Sequence, residues 1–311
     1  MNKSMNVLVT GGAGFIGSNL VDKLVDEGCN VLVIDDLSTG LIENLNAGAE
    51  YIHDDLVKFI ADPNSLDQIL NERDISIVYH LAASADVFLS VNKPEKVYEI
   101  NLIASIALLN ACHRSNVKKF IFASTSAVFG NPEYLPVDEK HSINPISPYG
   151  LTKFNFEQYI KYFAANCEID FTVFRLPNVY GYRQRPDLEG GVIAIFKGLI
   201  EQKKDIHVFG DGTQTRDWVN VVDIVQAFTD ARHTDYHHEI ILLGSETQIS
   251  LNELVENLRL FHNFDGKVIY NDARVGDIKH MVMSAKKAKK LLKWESKITF
   301  TDGLNNLWTN N

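Results

Sequence analysis

Val7-Leu8-Val9-Thr10-Gly11-Gly12-Ala13-Gly14-Phe15-Ile16-Gly17 is the stretch on which the reading of this chain turns. A short apolar run ends in a glycine-rich turn, and residues 16–27 beyond it carry apolar side chains at helical spacing. The turn satisfies Gly-x-x-Gly-x-x-Gly and, from Gly12, Gly-x-Gly-x-x-Gly. Glycines there permit a tight turn and let backbone approach a pyrophosphate at a helix N-terminus, whose amides and dipole favour an anion. Alone the pattern is weak, because glycine-rich turns also occur without ligands. Its setting between a strand and an amphipathic helix gives it weight.

An acidic residue closes the next apolar run, Val33-Ile34-Asp35-Asp36. A carboxylate at that place accepts from ribose hydroxyls and repels a 2′-phosphate, so NAD is expected over NADP. Without the glycines, Asp35 and Asp36 would read as turn residues.

The rhythm set here continues outward. Residues 7–10, 31–35, 75–80, 120–124 and 171–176 are compact and rich in Val, Ile and Phe, as buried parallel strands are. Residues 16–27, 65–71, 95–115 and 149–165 carry helical spacing between them. The alternation predicts an α/β fold, a doubly wound parallel sheet of Rossmann type with right-handed crossovers. Ligands on such sheets sit at the carboxyl ends of the strands. Past Leu176 the elements become shorter and more mixed, so residues 1–176 are expected to bind the dinucleotide and 177–311 the substrate. The chain is expected to rejoin the sheet around 218–244.

With 311 residues and 45% hydrophobic content the chain suits a globular enzyme-sized fold. A formal net charge of −10 argues against nucleic acid or an anionic membrane surface as partner. Cys29, Cys112 and Cys167 lie far apart, with neither metal-ligand spacing nor a paired count, so no metal is expected and the thiols read as reduced. No run approaches a membrane span and no signal region precedes the first strand, so a cytoplasmic protein is expected.

Ser147-Pro148-Tyr149-Gly150-Leu151-Thr152-Lys153 reads as a helix start, with Ser as N-cap and Pro in the first turn. Tyr149 and Lys153 then share one helical face. A phenol of ordinary pKa near ~10 is a poor base at neutral pH, and an ammonium beside it stabilises the phenolate. By spacing alone, such a pair is as readily structural.

Taken in order, the glycine turn, Asp35-Asp36-Leu37-Ser38-Thr39-Gly40, Asp55-Leu56, His80-Leu81-Ala82-Ala83, Asn101, Ser124-Thr125-Ser126-Ala127-Val128-Phe129-Gly130, the Tyr149/Lys153 pair and Pro177-Asn178-Val179-Tyr180-Gly181 resemble the extended short-chain dehydrogenase/reductase family. The resemblance covers nearly the whole chain, and is to its NAD-dependent sugar-nucleotide epimerases and dehydratases. It implies that Gly11, Gly14, Phe15, Ile16 and Gly17 hold the cofactor together with Asp35, Asp36, Leu37, Ser38, Thr39 and Gly40. It puts Asp55 and Leu56 at the adenine, and Leu81, Ala82, Ala83, Asn101 and Pro177 along the cofactor cleft. Thr125 becomes the hydroxyl beside Tyr149 on the reacting sugar oxygen, and Lys153 reaches the nicotinamide ribose.

The same resemblance separates reactions. Dehydratases of this group carry Asp-Glu after the catalytic Thr and decarboxylases a Glu at the second position, whereas this chain has Ser126 and Ala127. No Cys lies near, as epimerase-reductases require. The expected activity is therefore 4-epimerisation of a UDP-hexose through a 4-keto sugar, with NAD tightly bound and regenerated each turnover. A dehydratase, decarboxylase or 4-keto reductase is the enzymatic alternative, and a non-catalytic NAD-sensing regulator the alternative from another class.

For the substrate, the resemblance assigns Ser126, Asn178, Val192, His207, Phe209, Arg216, Arg274 and Asp277. The two arginines would grip the diphosphate and Phe209 would pack on the uracil. Phe129 departs from the usual Tyr as a packing change, and Tyr182 from the usual Pro. Met281 stands at the position that gates sugar size, and either Arg183 or Arg185 would supply the cation a uronic acid needs. A homodimer through 95–115 and 149–165 is implied as well.

Overall fold

The computed structural model describes residues 4–188, 191–234, 237–262, 264–273 and 278–309. In chain order the strands are β1 (Asn6–Thr10), β2 (Asn30–Asp35), β3 (Glu50–His53), β4 (Ile77–His80), β5 (Lys119–Thr125), β6 (Asp170–Leu176), β7 (Asn178–Tyr180), β8 (Ile206–Phe209), β9 (Thr215–Arg216), β10 (Trp218–Asn220), β11 (Glu239–Leu242), β12 (Ile249–Ser250) and β13 (Val268–Asn271). The helices of the first half are α1 (Phe15–Asp26), α2 (Lys58–Ala61), α3 (Pro63–Glu72), α4 (Val87–Asn92), α5 (Pro94–Tyr98), α6 (Ala104–Arg114) and α7 (Pro148–Ala164). Those of the second half are α8 (Val192–Glu201), α9 (Val221–Asp230), α10 (Leu251–His262), α11 (Lys286–Leu292) and α12 (Phe300–Thr309).

Seven strands form one parallel sheet in the order β11-β6-β5-β4-β1-β2-β3. Strand alternation explains its two covered faces. Val7 and Val9 of β1 share a core with Leu20, Val21 and Leu24 of α1 and with Ile224 and Phe228 of α9. Leu8, between them, points the other way into a core with Leu66, Leu108 and Phe156. Each such aliphatic side chain, fully buried, contributes about 1.5–3 kcal/mol. Burial on both faces is why these strands are continuous apolar runs rather than alternating ones.

The strand order reverses between β1 and β4, which opens a crevice at their carboxyl ends. The expected return of the chain to the sheet is a single strand, β11 on β6, preceded by β10 and α9, with α9 laid against α1. Beyond the sheet, short pairs β7–β10, β8–β13 and β9–β12 build a second, smaller core around Phe196, Trp218, Leu254 and Leu304.

The helix read over 95–115 is broken. Pro94 starts α5, and a π-helical turn at Glu99–Ile103 intervenes before α6. The extra residue in that turn seats Asn101, which is buried and exchanges hydrogen bonds with Ser84, accepting from its N–H at 2.8 Å and donating to its carbonyl at 3.0 Å. Strand β3 and helices α2 and α4 had no clear signature; β3 is an edge strand whose residues are all at least partly exposed.

Candidate active site

A cleft of about 900 Å³ runs along the carboxyl ends of β1, β2, β4, β5 and β6. At one end Gly11, Gly14, Phe15, Ile16 and Gly17 face Asp35, Asp36, Ser38 and Thr39, with Asp54, Asp55 and Leu56 beyond. At the other end stand Thr125, Ser126, Tyr149, Lys153, Pro177 and Asn178. Leu81, Ala82 and Ala83 form the floor between them.

The glycine turn is shaped as an anion cradle requires. Gly11 has φ +73, and a Cβ on Gly17 would lie 2.0 Å from the Gly11 carbonyl oxygen. Gly14 occupies the N-cap of α1 without a side chain to satisfy the first-turn amides, so these remain turned toward the cleft. Asp35 accepts from the Ala13 N–H at 2.9 Å and the Leu37 N–H at 2.8 Å, tying the two loops together. Burial pushes its carboxyl above the usual range, against those two hydrogen bonds. A dinucleotide fits this donor set: amides at a helix start for a pyrophosphate, and a carboxylate across the turn for ribose hydroxyls.

The far end is equally ordered by local chemistry. The Ser147 hydroxyl accepts from the Gly150 N–H at 3.1 Å and starts α7, with Pro148 in its first turn. Tyr149 then hydrogen-bonds the Thr125 side chain at the end of β5. Burial raises the Tyr149 phenol, and that hydrogen bond opposes the rise. Lys153, one turn on, donates to the Ala123 carbonyl at 2.9 Å with its ammonium over the Phe122 ring. Burial pulls Lys153 down to about 7, and the nearby Glu157 carboxylate works against that fall. The sequence spacing of a Tyr and a Lys thus becomes three groups gathered at one strand end.

Some expected residues stand elsewhere. Asn101 sits behind the cleft and holds Ser84, which itself lines the wall. Leu37, at φ +56, and Gly40, against Asp35, shape the loop rather than face the space. Val192 begins α8 next to the wall residue Gly191, while His207 and Phe209 lie on β8, beyond the lining. Arg216 does line the cleft; Arg274 and Asp277 lie outside the described residues. Wall residues that sequence reasoning missed include Asn44, Ser84, Lys96, Ile146, Gln184 and Leu188. Ser84, Ile146, Gln184 and Leu188 come from loops and Asn44 from the turn between β2 and β3, where no periodic signal marks them, while Lys96 lies on α5, whose helical spacing does not say which face meets the cleft.

The two arginines considered for a uronic acid are already engaged. Arg183 pairs with Asp22 of α1 at 2.7 Å, stacking on the exposed Tyr182 ring. Arg185 holds Asp187 and donates to the Thr39 carbonyl at 2.9 Å, and Asn19 donates to the Tyr182 carbonyl at 3.1 Å. Residues 182–185 therefore strap the second core to the cofactor end of the first. Met281 is buried in the wall with Phe129 and Met283, and Phe129 packs under Arg175. Among the described residues no cluster of His, Cys, Asp or Glu is arranged for a metal, and no helix is long and apolar enough to cross a membrane.

Comparison with known proteins agrees with this geometry. Residues 7–244 match the model of the NAD dependent epimerase/dehydratase family. The crystal structure of a UDP-glucose 4-epimerase from Thermotoga maritima with UDP-glucose superposes with a TM-score of 0.94 at 38% identity, covering 97% of each chain. A UDP-N-acetylglucosamine 4-epimerase from Methanobrevibacter ruminantium, in complex with UDP-N-acetylmuramic acid, gives 0.92 at 36% identity, covering 99% of this chain and 98% of the other. The UDP-glucose 4-epimerase of Thermus thermophilus, complexed with NAD, gives 0.90 at 32% identity and 97% of each chain. The chain belongs to the NAD-dependent epimerase/dehydratase family.

Proposed function

We propose that this protein is an NAD-dependent UDP-hexose 4-epimerase acting on UDP-glucose/UDP-galactose or their N-acetylated counterparts. The observation that carries this reading is the distribution of carboxylates around the cleft. Among its described lining residues these are Asp35, Asp36, Asp54 and Asp55, all on or after β2 and β3 at the glycine-turn end. Beside Thr125 stand Ser126 and Ala127, which offer no carboxylic acid or base for eliminating water or losing carbon dioxide.

Tyr149 then has one task, to take the proton from the sugar 4-hydroxyl and later return it, with Thr125 hydrogen-bonded to the same oxygen. The Lys153 ammonium stabilises the phenolate that this requires. The glycine turn, Asp35 and Lys153 would hold NAD, which would supply the redox chemistry of a 4-epimerisation, reversible hydride exchange with carbon 4 of the sugar. Arg216 and Asn178 line the space assigned to the diphosphate; Arg274 is kept as its further partner and Asp277 as the partner of a ribose hydroxyl. The protein is read as a homodimer through residues 95–115 and 149–165, where Ile103, Leu151 and Tyr162 are exposed in the single chain. It is placed in the cytoplasm, in keeping with its three free cysteines.

Incubation with a panel of UDP-sugars, with products resolved by chromatography, tests the reading. An equilibrium mixture of C4 epimers without added reductant is expected. An unsaturated or pentose product, or a need for stoichiometric reduced cofactor, would overturn it. Tyr149→Phe is expected to cut turnover by ~10²-fold or more while bound NAD remains.

A further inference from the structure

A buried carboxylate lies one turn beyond Lys153 that the reaction above does not use. Glu157 of α7 is fully buried and accepts from the Ser124 hydroxyl at 2.5 Å. It also accepts from Arg175 of β6, from Nε at 3.1 Å and from Nη2 at 2.7 Å. Arg175 is itself buried and spreads over the Phe129 ring. A charge out of water costs several kcal/mol unless closely paired, and as a stability device alone an apolar pair of equal volume would do as well. Position suggests a different reason for keeping it.

Tyr149, Lys153 and Glu157 recur every four residues along one face of α7, in reach of the end of β5. Lys153 is bonded to Ala123 O, Glu157 to Ser124 Oγ, and Tyr149 to Thr125, so three successive residues of β5 are tied to three different turns of the helix. We propose that Glu157, held by Arg175, is a positioning residue that keeps the Lys153 ammonium charged and docked on β5 beside Tyr149. This rests on the reading of Lys153 as the partner of Tyr149.

The surroundings of Lys153 make such a counter-charge necessary. Below the ammonium is the Phe122 ring at 4.6 Å. From β4 it faces His80, which is hydrogen-bonded to Thr10 and Ser105 and which burial, then the Lys153 charge, depresses to about 3. His80 is therefore neutral in the working range. From α7 it meets the charge of Glu157, with Tyr149 one turn before it on the same helix, and from β6 Arg175 lies on the far side of Glu157. Glu157 is the group that favours the charged form of Lys153. Lys153 has a folded value below its ordinary one, so its charge is complete at acid pH and lost as pH rises through about 7. Removing Glu157 moves that loss to lower pH.

The test reads Lys153 directly, by NMR titration of its Cε in the folded protein carrying its own cofactor, with the signal assigned by its loss in Lys153→Met. Glu157→Gln is expected to lower the midpoint by about one pH unit or more. A midpoint that is unchanged or raised overturns the proposal. Should Glu157→Gln fail to fold, the volume-matched Glu157→Gln/Arg175→Met double variant decides by the same reading. A lowered midpoint supports, and an unchanged or raised one refutes. The titration needs no substrate, so failure of the Tyr149→Phe test would fault the assignment of the base and leave this result standing. In turnover, the alkaline limb of the pH profile is expected to move with the midpoint.

Discussion

Gly17→Ala isolates the role of the glycine turn. An added Cβ would sit 2.0 Å from the Gly11 carbonyl oxygen, 2.8 Å from its carbon and 2.9 Å from the Gly12 Cα. Non-bonded carbon needs about 3.5 Å, so α1 and the turn must separate by roughly 1.5 Å. All three atoms are backbone and no rotamer change relieves them. Overpacking of this kind costs about 1–3 kcal/mol, offset by up to about 1 kcal/mol from the better helix propensity of Ala. The net loss is about 0–3 kcal/mol, and at about 2–4 °C per kcal/mol the melting temperature of the cofactor-free protein falls by a few degrees. Binding suffers more. Moving first-turn amides by that distance breaks one or two hydrogen bonds to a charged phosphate, each about 1.5–3 kcal/mol, which is at least tenfold in affinity. The assay compares NAD released by denaturation after gel filtration, calorimetric titration with NAD, and thermal unfolding. Stoichiometric NAD with an unchanged dissociation constant in Gly17→Ala would refute the assignment of the turn.

Arg183→Ala, which removes the ion pair that ties residues 182–185 to Asp22 of α1, is expected to speed loss of NAD several-fold, read by dilution and gel filtration; an unchanged rate would show that the strap does not retain the cofactor. Asp35→Ala leaves the Ala13 and Leu37 amides without their acceptor and is expected to cost about 1–3 kcal/mol by chemical denaturation, together with the preference for NAD over NADP. Asp217→Ala strands the buried Met283 N–H and the Ser245 N–H and hydroxyl, for a loss of about 2–5 kcal/mol in the same assay; a variant as stable as the parent would show that these donors find other partners. Leu151→Glu is expected to yield monomers in sedimentation at micromolar concentration, and a monomeric parent would remove the proposed dimer.

Periodicity and turn chemistry carried the glycine turn, Asp35 after the second strand, the five central strands and the Ser147 cap, because each depends on neighbours within a few residues. The identity of Ser126 and Ala127 likewise narrows the chemistry without any coordinates. Other features depended on contacts between distant segments. The π-turn that buries Asn101 behind the cleft exists because Asn101 must meet Ser84 and Thr152, a demand that a helical spacing does not express. Arg183 and Arg185 read as available cations until the fold brought Asp22 and Thr39 to them. Nothing in the helical spacing of residues 149–165 singles out Glu157. Only the packing of α7 against β5 and β6 buried it, since whether a carboxylate is solvated or becomes a counter-charge for Lys153 is decided by what covers it, and that is a property of the tertiary structure.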